Sequence, residues 1–466
     1  MRTKQRRRRK LTATLLVAAV SLLVLGLAPT LHASTTHRHR HRQLAAAAAM
    51  DAATLASATA RNILVERGWR GQRQVDPVAG PVAAPTATTV PAATTTTTTT
   101  AVPVPATSVP APPTGPGPAP AGCGGPLRIT TGGTYSGCYQ STATGTAAVT
   151  VATTQPVVLD HATIRHAGRG VVNSVTGTRI TLTNSKLTAL APPSRVDQRA
   201  VRLSGPALFV AEHNLLMDGM GIWLGSNSQA PLSIAPLRVR FNDTVNVARY
   251  GDPSCCVQFL QFDKVSGAAD IGWNRVTNAS GRSNVADNIN MYESGGSGLS
   301  AIVDIHDNLI YGGYDVSGNG AGYVGGGIIA GDNGGNFTTI RNNRVVSTSN
   351  YGVAIVGGHD NHLLGNRLIN DGRDDAGAPH GPSFAVGIPL WQPSVPTGPN
   401  TSATGNVVAW ERPDGTRNDT WIAVAGASIS GNSKLAGDVT AATEQAEMRG
   451  WAAAAGAAGL TVGPDW

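Results

Sequence analysis

Between Arg282 and Arg341 the chain carries no lysine or arginine, and residues 77–121 carry no charge of either sign. Cysteine is scarce, four in 466 residues. Helical periodicity is missing from the part of the chain that repeats. Each absence excludes something. A stretch of Thr, Pro and Ala without charge or large apolar residues, TTTTTTT included, cannot bury a core, so residues 76–121 read as an extended linker. The basic balance, a formal +8 with pI near 9.6, excludes less than it suggests. Fourteen of the 36 Lys and Arg fall in the first 75 residues, against only Asp51 and Glu66. The remainder is net negative, so nucleic-acid binding by the main domain has no support.

The basic leader has its own explanation. MRTKQRRRRK is a charged opening, LTATLLVAAVSLLVLGL an apolar run, and APTLHAS offers small residues near Ala33. This three-part order predicts a signal peptide over 1–33, and Arg8-Arg9-Lys10 also fits a loose twin-arginine signal. A second alternative is that the run stays as an uncleaved anchor, although it is short for a span; after cleavage no stable membrane insertion is expected. Residues 34–75 are a basic, Ala-rich segment that opens with HRHRHR. The expected location is secreted, extracellular or at the cell surface, and the expected state is a monomer.

What is abundant is one phrase. LLGNRLIND (363–371) puts an apolar residue three places before an Asn and another two places after it. IRNNRV (Asn343), IHDNLI (Asn308), IGWNRV (Asn274), VRFNDT (Asn242), AEHNLL (Asn214) and ATGNVV (Asn406) repeat it, with weaker copies at Asn184 and Asn432. Intervals of this order mean stacked units. Before each Asn phrase runs a second alternating segment: GIWLGS (221–226), CVQFLQF (256–262), NINMYES (288–294), GGIIAGD (326–332), GVAIVGG (352–358) and VGIPLW (386–391). Alternation at period two is a strand signal. A unit this thin cannot bury its own face, but parallel stacking about 4.8 Å apart does. The Asn is then a corner residue, tolerant of left-handed backbone and able to bond along the stack.

These corners, the Gly-rich strand starts and the GGTYSGC segment resemble the right-handed parallel β-helix superfamily, the fold of pectate lyases, polygalacturonases and alginate epimerases. The resemblance implies an all-β, single-stranded right-handed parallel β-helix solenoid over 122–438, with residues 439–466 as a C-terminal cap, helical in its Ala-rich part and covering the last open edge. It implies no catalytic residue. The Asn-Thr-Asp and Gly-His-Gly of galacturonases and the Asp-Pro-His-Asp of alginate epimerases are missing, and GGHDN (357–361) only echoes one of them.

Outside the cytoplasm, Cys123 and Cys138 are expected to pair, and adjacent Cys255 and Cys256 to form a vicinal disulfide or to remain thiols. The cation-free stretch holds Asp287, Glu293, Asp304, Asp307, Asp315 and Asp332 with Tyr292, Tyr311, Tyr314, Tyr323 and His306. Acids beside aromatics suit a sugar cleft or a Ca²⁺ site. Aligning Ile222, Val257, Ile289, Ile328 and Val353 as one inward position places Ser226, Gln261, Glu293, Asp332 and Gly357 in one polar column. Glu293 and Asp332 then become neighbours on adjacent coils, as a catalytic pair or as two Ca²⁺ ligands, with His359 and Asp360 following on the next coil. Tyr292 and Asp287 join as substrate-binding residues. So do Arg373, Asp375 and His380, from an insertion (372–382) read as a wall of the cleft, and Trp391, which follows it. The expected function is a secreted carbohydrate-active protein that cleaves or modifies an extracellular polysaccharide, by hydrolysis or as a lyase. The alternative is a non-catalytic β-helix surface protein for adhesion or glycan binding.

Overall fold

A computed structural model describes residues 122–191, 196–225, 232–233, 237–248, 257–314, 324–380, 385–391, 400–422, 424 and 427–466. All lie in a unit that runs from Pro103 to Trp466. The expected signal peptide, basic segment, linker and Cys255–Cys256 pair lie outside the described residues.

The asparagines form a single file. From Asn214 through Asn242, Asn274, Asn308, Asn343, Asn366 and Asn406 to Asn432, each Nδ2 donates to the Oδ1 of the next at 2.8–3.0 Å. The backbone N–H of each Asn donates to that same Oδ1. Nδ2 also reaches a carbonyl of the preceding repeat, as from Asn308 to Ile271 and from Asn366 to Ile340. Asn214 through Asn406 are fully buried. Such burial is tolerable only because every polar atom is paired.

Two details correct the sequence reading. The left-handed residue is the one before the Asn: His213, Phe241, Trp273, Asp307 and Asn342 have φ of 53° to 56°, and Gly365, Gly405 and Gly431 fill the same place. Asn184 is itself such a residue, at φ 45°, and Ser185 takes the place in the file, its N–H donating to Asn214 Oδ1 at 3.0 Å.

Each repeat contributes three strands. The pair flanking the Asn, such as Val303–His306 and Leu309–Gly313, belongs to a 20-stranded sheet. The third, such as Asp287–Tyr292, belongs to an 11-stranded sheet. Every strand ladder is parallel, residue above residue, for instance Val239↔Ile271↔Ile305↔Ile340↔Leu363. These apolar rows face inward and make one continuous buried core. The result is an all-parallel β architecture of long stacked sheets, compatible with a β-helix-like solenoid. Near its start Cys123 and Cys138 are joined in a disulfide.

The C-terminal segment does form a helix, α1 (Ala441–Ala457), started by a capping box at Thr440. It does not cover the last edge. The final strands Thr420–Ile422, Ser428–Ser430 and Ser433–Lys434 are exposed. The helix lies instead on the flank of the 20-stranded sheet. Glu447 accepts from Arg344 Nη1 and Arg367 Nε, both at 2.8 Å, and Trp451 Nε1 donates to the Asp307 carbonyl at 2.7 Å. Met448 and Trp451 pack on Leu309 and Val346. The reason is chemical: the flank offers two arginines and an apolar patch that match one helix face. Beyond α1 the chain continues back toward the first repeats. Gly463 N–H donates to the Phe241 carbonyl at 2.7 Å. Asp465 meets His161 Nε2 at 3.2 Å, and Trp466 donates to the Asn184 carbonyl beneath Lys186 Nζ. Among the described residues no helix is long and apolar enough to cross a membrane.

Candidate functional site

Strand alternation turns one set of side chains of the 11-stranded sheet away from the core. On that outer face Trp223, Gln261, Asn290 and Ile329 sit side by side in register, beginning from Arg202. A second outer row runs Asp263, Tyr292, Asp332.

This register differs from the expected one. Ile222, Ile289, Ile328 and Val353 do share a position, but the residue beside them is Leu260, not Val257. Gln261 therefore belongs beside Trp223 and Asn290. A second departure is a shift in the ladder between Asn290 and Tyr292, which sets Asp332 opposite Tyr292 rather than Glu293. Glycine at 331, with φ 69°, supplies the extra residue; a Cβ there would strike the backbone of Gly357. Glu293 N–H donates to the Asp332 carbonyl at 2.7 Å, so the two remain chain neighbours across the ladder. Their side chains bond elsewhere. Glu293 Oε1 accepts from Asn333 at 2.6 Å, and Oε2 lies 3.8 Å from Lys264 Nζ.

The carboxyl that Asp332 is tied to is Asp287. Asn290 Nδ2 donates to Asp287 Oδ2 and to Asp332 Oδ2, both at 2.9 Å. Tyr351 OH donates to the other oxygen of Asp287. Burial pushes the Asp287 carboxyl up to about 7, against the hydrogen bonds from Tyr351 and Asn290. Burial raises Asp332 as well, opposed by Asn290 and assisted by the Glu293 charge. Tyr292 and Tyr351 are held protonated, chiefly by burial. Burial thus raises the proton affinity of both carboxyls, to about 7 for buried Asp287 and in the same direction for Asp332 on the outer row, the direction a general acid requires.

The expectation of a cation-free face does not survive. Lys264 comes from the preceding repeat, and three guanidinium groups (Arg169, Arg199, Arg202) converge on Asp197 at 2.8–3.3 Å. Arg202 lies over the Trp223 ring. Distance along the chain misled here, because neighbours in the sheet are roughly thirty residues apart. The expected acidic cluster is divided for the same reason. Asp304, Asp307 and His306 lie on the outside of the 20-stranded sheet, where His306 bonds Asp270 at 2.9 Å and Asp307 at 2.8 Å, and Arg341 pairs with Asp304 at 2.8 Å. Despite the opposing effect of burial, the bonds to Asp270 and Asp307 push His306 up to about 9. This is an ion-pair ladder along a flank. Tyr311 and Tyr314 pair with the helix and loop at another bend, and Asp315 and Tyr323 lie outside the described residues.

The remaining expected residues are also apart from Asp332. His359 Nδ1 bonds Asp360 Oδ2 at 2.5 Å at the following bend, where Asn336 and Asn400 hold the pair. The 372–380 loop does not wall the outer face. It folds back on Ser280, whose N–H donates to Asp375 Oδ1 at 2.8 Å. His380 is buried, bonded to Asn370 at 3.0 Å and stacked on Tyr314, and burial pushes it down to about 4. Arg373 binds the Gly377 carbonyl and lines a cavity of about 310 Å³ with Asp371, Glu411, Arg412 and Thr440, beside the start of α1. Trp391 does stand at the end of a strand of the 11-stranded sheet and meets Trp421 at 5.6 Å.

The sequence reading missed Asn290, Tyr351 and Lys264. The first had a signal: Asn290 sits between apolar Ile289 and Met291, the alternation of an outward polar residue, whereas Asn288 is buried and bonded to Asn278 and the Gly312 carbonyl. Among the described residues no group of three or more His, Cys, Asp or Glu is placed to hold a metal ion, so Glu293 and Asp332 have no third ligand of that kind there. No protein-family model, curated protein or solved structure matches the chain.

Proposed function

We propose that the chain is a secreted carbohydrate-active protein that hydrolyses an extracellular polysaccharide lying along the outer face of the 11-stranded sheet. The proposed scaffold is a right-handed parallel β-helix of the pectate-lyase-like kind. The observation that carries the reading is the Asp287–Asn290–Asp332 array with Tyr292 beside it: a buried carboxyl and one on an outer row, bridged by an amide, both with proton affinity raised by burial. In the proposed step Asp332 gives its proton to the glycosidic oxygen as the C–O bond breaks. Water forms the new bond to the anomeric carbon, and its proton passes to Glu293, which Asn333 and Lys264 hold in place. Half-buried Tyr292 offers a flat surface for a sugar ring.

The test is release of reducing ends by the full chain from a panel of neutral and acidic polysaccharides, with and without chelator. Asp332→Asn should cut turnover by about 10²- to 10⁴-fold with the melting temperature unchanged, the range for loss of a general acid. Tight binding of one polysaccharide without turnover would replace this reading with that of a glycan-binding surface rod. The paired Trp391 and Trp421 at the stack's end support that second reading.

A further inference from the structure

Beside the outer face of the 11-stranded sheet three arginines share one acid. Asp197 Oδ1 accepts from the backbone N–H and from Nη1 of Arg199, both at 3.3 Å. Its Oδ2 accepts from Arg169 Nε at 2.9 Å and from Arg202 Nη1 at 2.8 Å. These bonds fill the roughly four lone-pair sites of a carboxylate. Burial disfavours the charge on Asp197, but Arg199, Arg202 and the bond from Arg169 hold its carboxyl below the usual range, so it is ionised. One negative charge thus faces three guanidinium groups. Asp263, the next carboxylate along the face, acts on Arg199 and Arg202 as well, but more strongly on Lys264. Arg199 has a further acceptor, Gln261 Oε1, at 3.2 Å. Arg169 and Arg202 differ from it. Among the described residues, Arg169 Nη1 and Nη2 and Arg202 Nε and Nη2 have no acceptor. Both side chains reach solvent, 47 % and 33 % exposed. They bond the same oxygen, so their unused N–H groups flank one common space. The Trp223 ring, 4.7 Å from the Arg202 guanidinium, fixes one side of it.

We infer that Arg169 and Arg202 form a binding site for a tetrahedral oxyanion, the sulfate or phosphate ester of a sugar. Two guanidinium forks around one space call for a ligand with three terminal oxygens, which such an ester offers and a planar carboxylate does not. The excess of positive charge favours an anion, and Arg202, already packed on Trp223, loses little side-chain freedom on binding it. The inference rests on the proposed carbohydrate function for the carrier of the ester. Arg202 shares the outer row of Trp223, Gln261, Asn290 and Ile329, and Asp332 stands on the strand of Ile329. Ladder steps of about 4.8 Å put that strand about 19 Å away, so the ester belongs to a different sugar unit from the one whose bond is proposed to break.

Calorimetric titration of the full chain tests it, with sulfated, phosphorylated, unsubstituted and uronate oligosaccharides of equal length and with inorganic sulfate and phosphate. One of the two esters should bind at least about ten-fold more tightly than the unsubstituted and uronate chains, and the tighter one names the source of the oxyanion. Arg169→Gln leaves Asp197 to Arg199 and Arg202. It should remove that advantage and keep the binding of the unsubstituted chain. Arg282→Gln lowers the net charge equally at an exposed arginine outside the cluster and should change neither, which separates the site from the pull of the basic leader. Equal losses in the two variants, a uronate bound as tightly as the ester, or no preference over the unsubstituted chain overturns the inference while the carbohydrate function stands. Inorganic sulfate or phosphate bound by the wild-type chain and not by Arg169→Gln, with no saccharide bound, supports the site and sinks the carbohydrate function. No binding of any of these ligands sinks both. Arg202→Gln takes the place of Arg169→Gln in every comparison if that variant does not fold.

Discussion

At the scale of single residues, the corner shows a division of labour between neighbours. Asn308 contributes an N–H, a bifurcating amide and an acceptor, all buried, to the repeats on either side. Asn308→Ala strands several of those partners. Loss of about 3–5 kcal/mol is expected, read by urea denaturation. The residue before the Asn carries the backbone demand instead. Asn342, exposed and at φ 54°, should accept Gly with little change, whereas Asn342→Val should cost about 1–2 kcal/mol. Equal effects of the two substitutions would contradict the assignment of the left-handed place. The Asn file was legible in the sequence because it repeats. The left-handed place was not, because His, Phe, Trp, Asp, Asn and Gly all occupy it and leave no common letter. Asp287 adds a pH dependence. A carboxyl whose folded pKa lies above its unfolded value holds its proton more tightly when folded. Its contribution to stability is complete below the unfolded value near 3.8 and is lost as pH rises through about 7. Asp287→Asn should flatten the fall in melting temperature between pH 4 and 7.

At the scale of elements, strands were read well and partners poorly. Each alternating segment between 221 and 391 contains a strand of the 11-stranded sheet. Periodicity fixes which faces point inward, but register depends on where each loop places the next strand. CVQFLQF offers Val257 and Leu260 as equally good inward residues, and nothing local chooses between them. The one-residue shift at Gly331 is invisible for the same reason: GGIIAGD alternates well either way. Helix α1 was legible from its alanines, but its seat was not. That seat depends on Arg344 and Arg367, 23 residues apart in the chain and adjacent in the ladder. Trp451→Ala should cost about 3 kcal/mol by removing a buried aromatic. It should also speed hydrogen exchange at Leu309 and Val346 ahead of the inner rows; uniform exchange would mean that the helix does not dock as a unit. Glu444 shares this interface. Burial and the nearby Asp371 charge push it up to about 8, so the helix should hold more loosely as pH rises from near 4.5 through 8.

At the scale of the whole molecule, stability is nearly one-dimensional, since each repeat touches chiefly those above and below it. Among the described residues the first repeat has a neighbour on one side only. The Cys123–Cys138 disulfide lies there, closing a separation of 15 residues. In the loop-entropy model such a link is worth about 3 kcal/mol. Reduction should therefore lower the melting temperature, and fraying monitored by exchange should begin near Leu127–Ile129 rather than in the middle of the stack.

The tail that runs from α1 back to His161, Asn184 and Lys186 makes the order of synthesis matter. Repeats can settle one upon another as they emerge from the ribosome. The flank cannot be sealed until Trp466 has reached residues made nearly three hundred positions earlier. A fusion tag placed after Trp466 would sit at that seal.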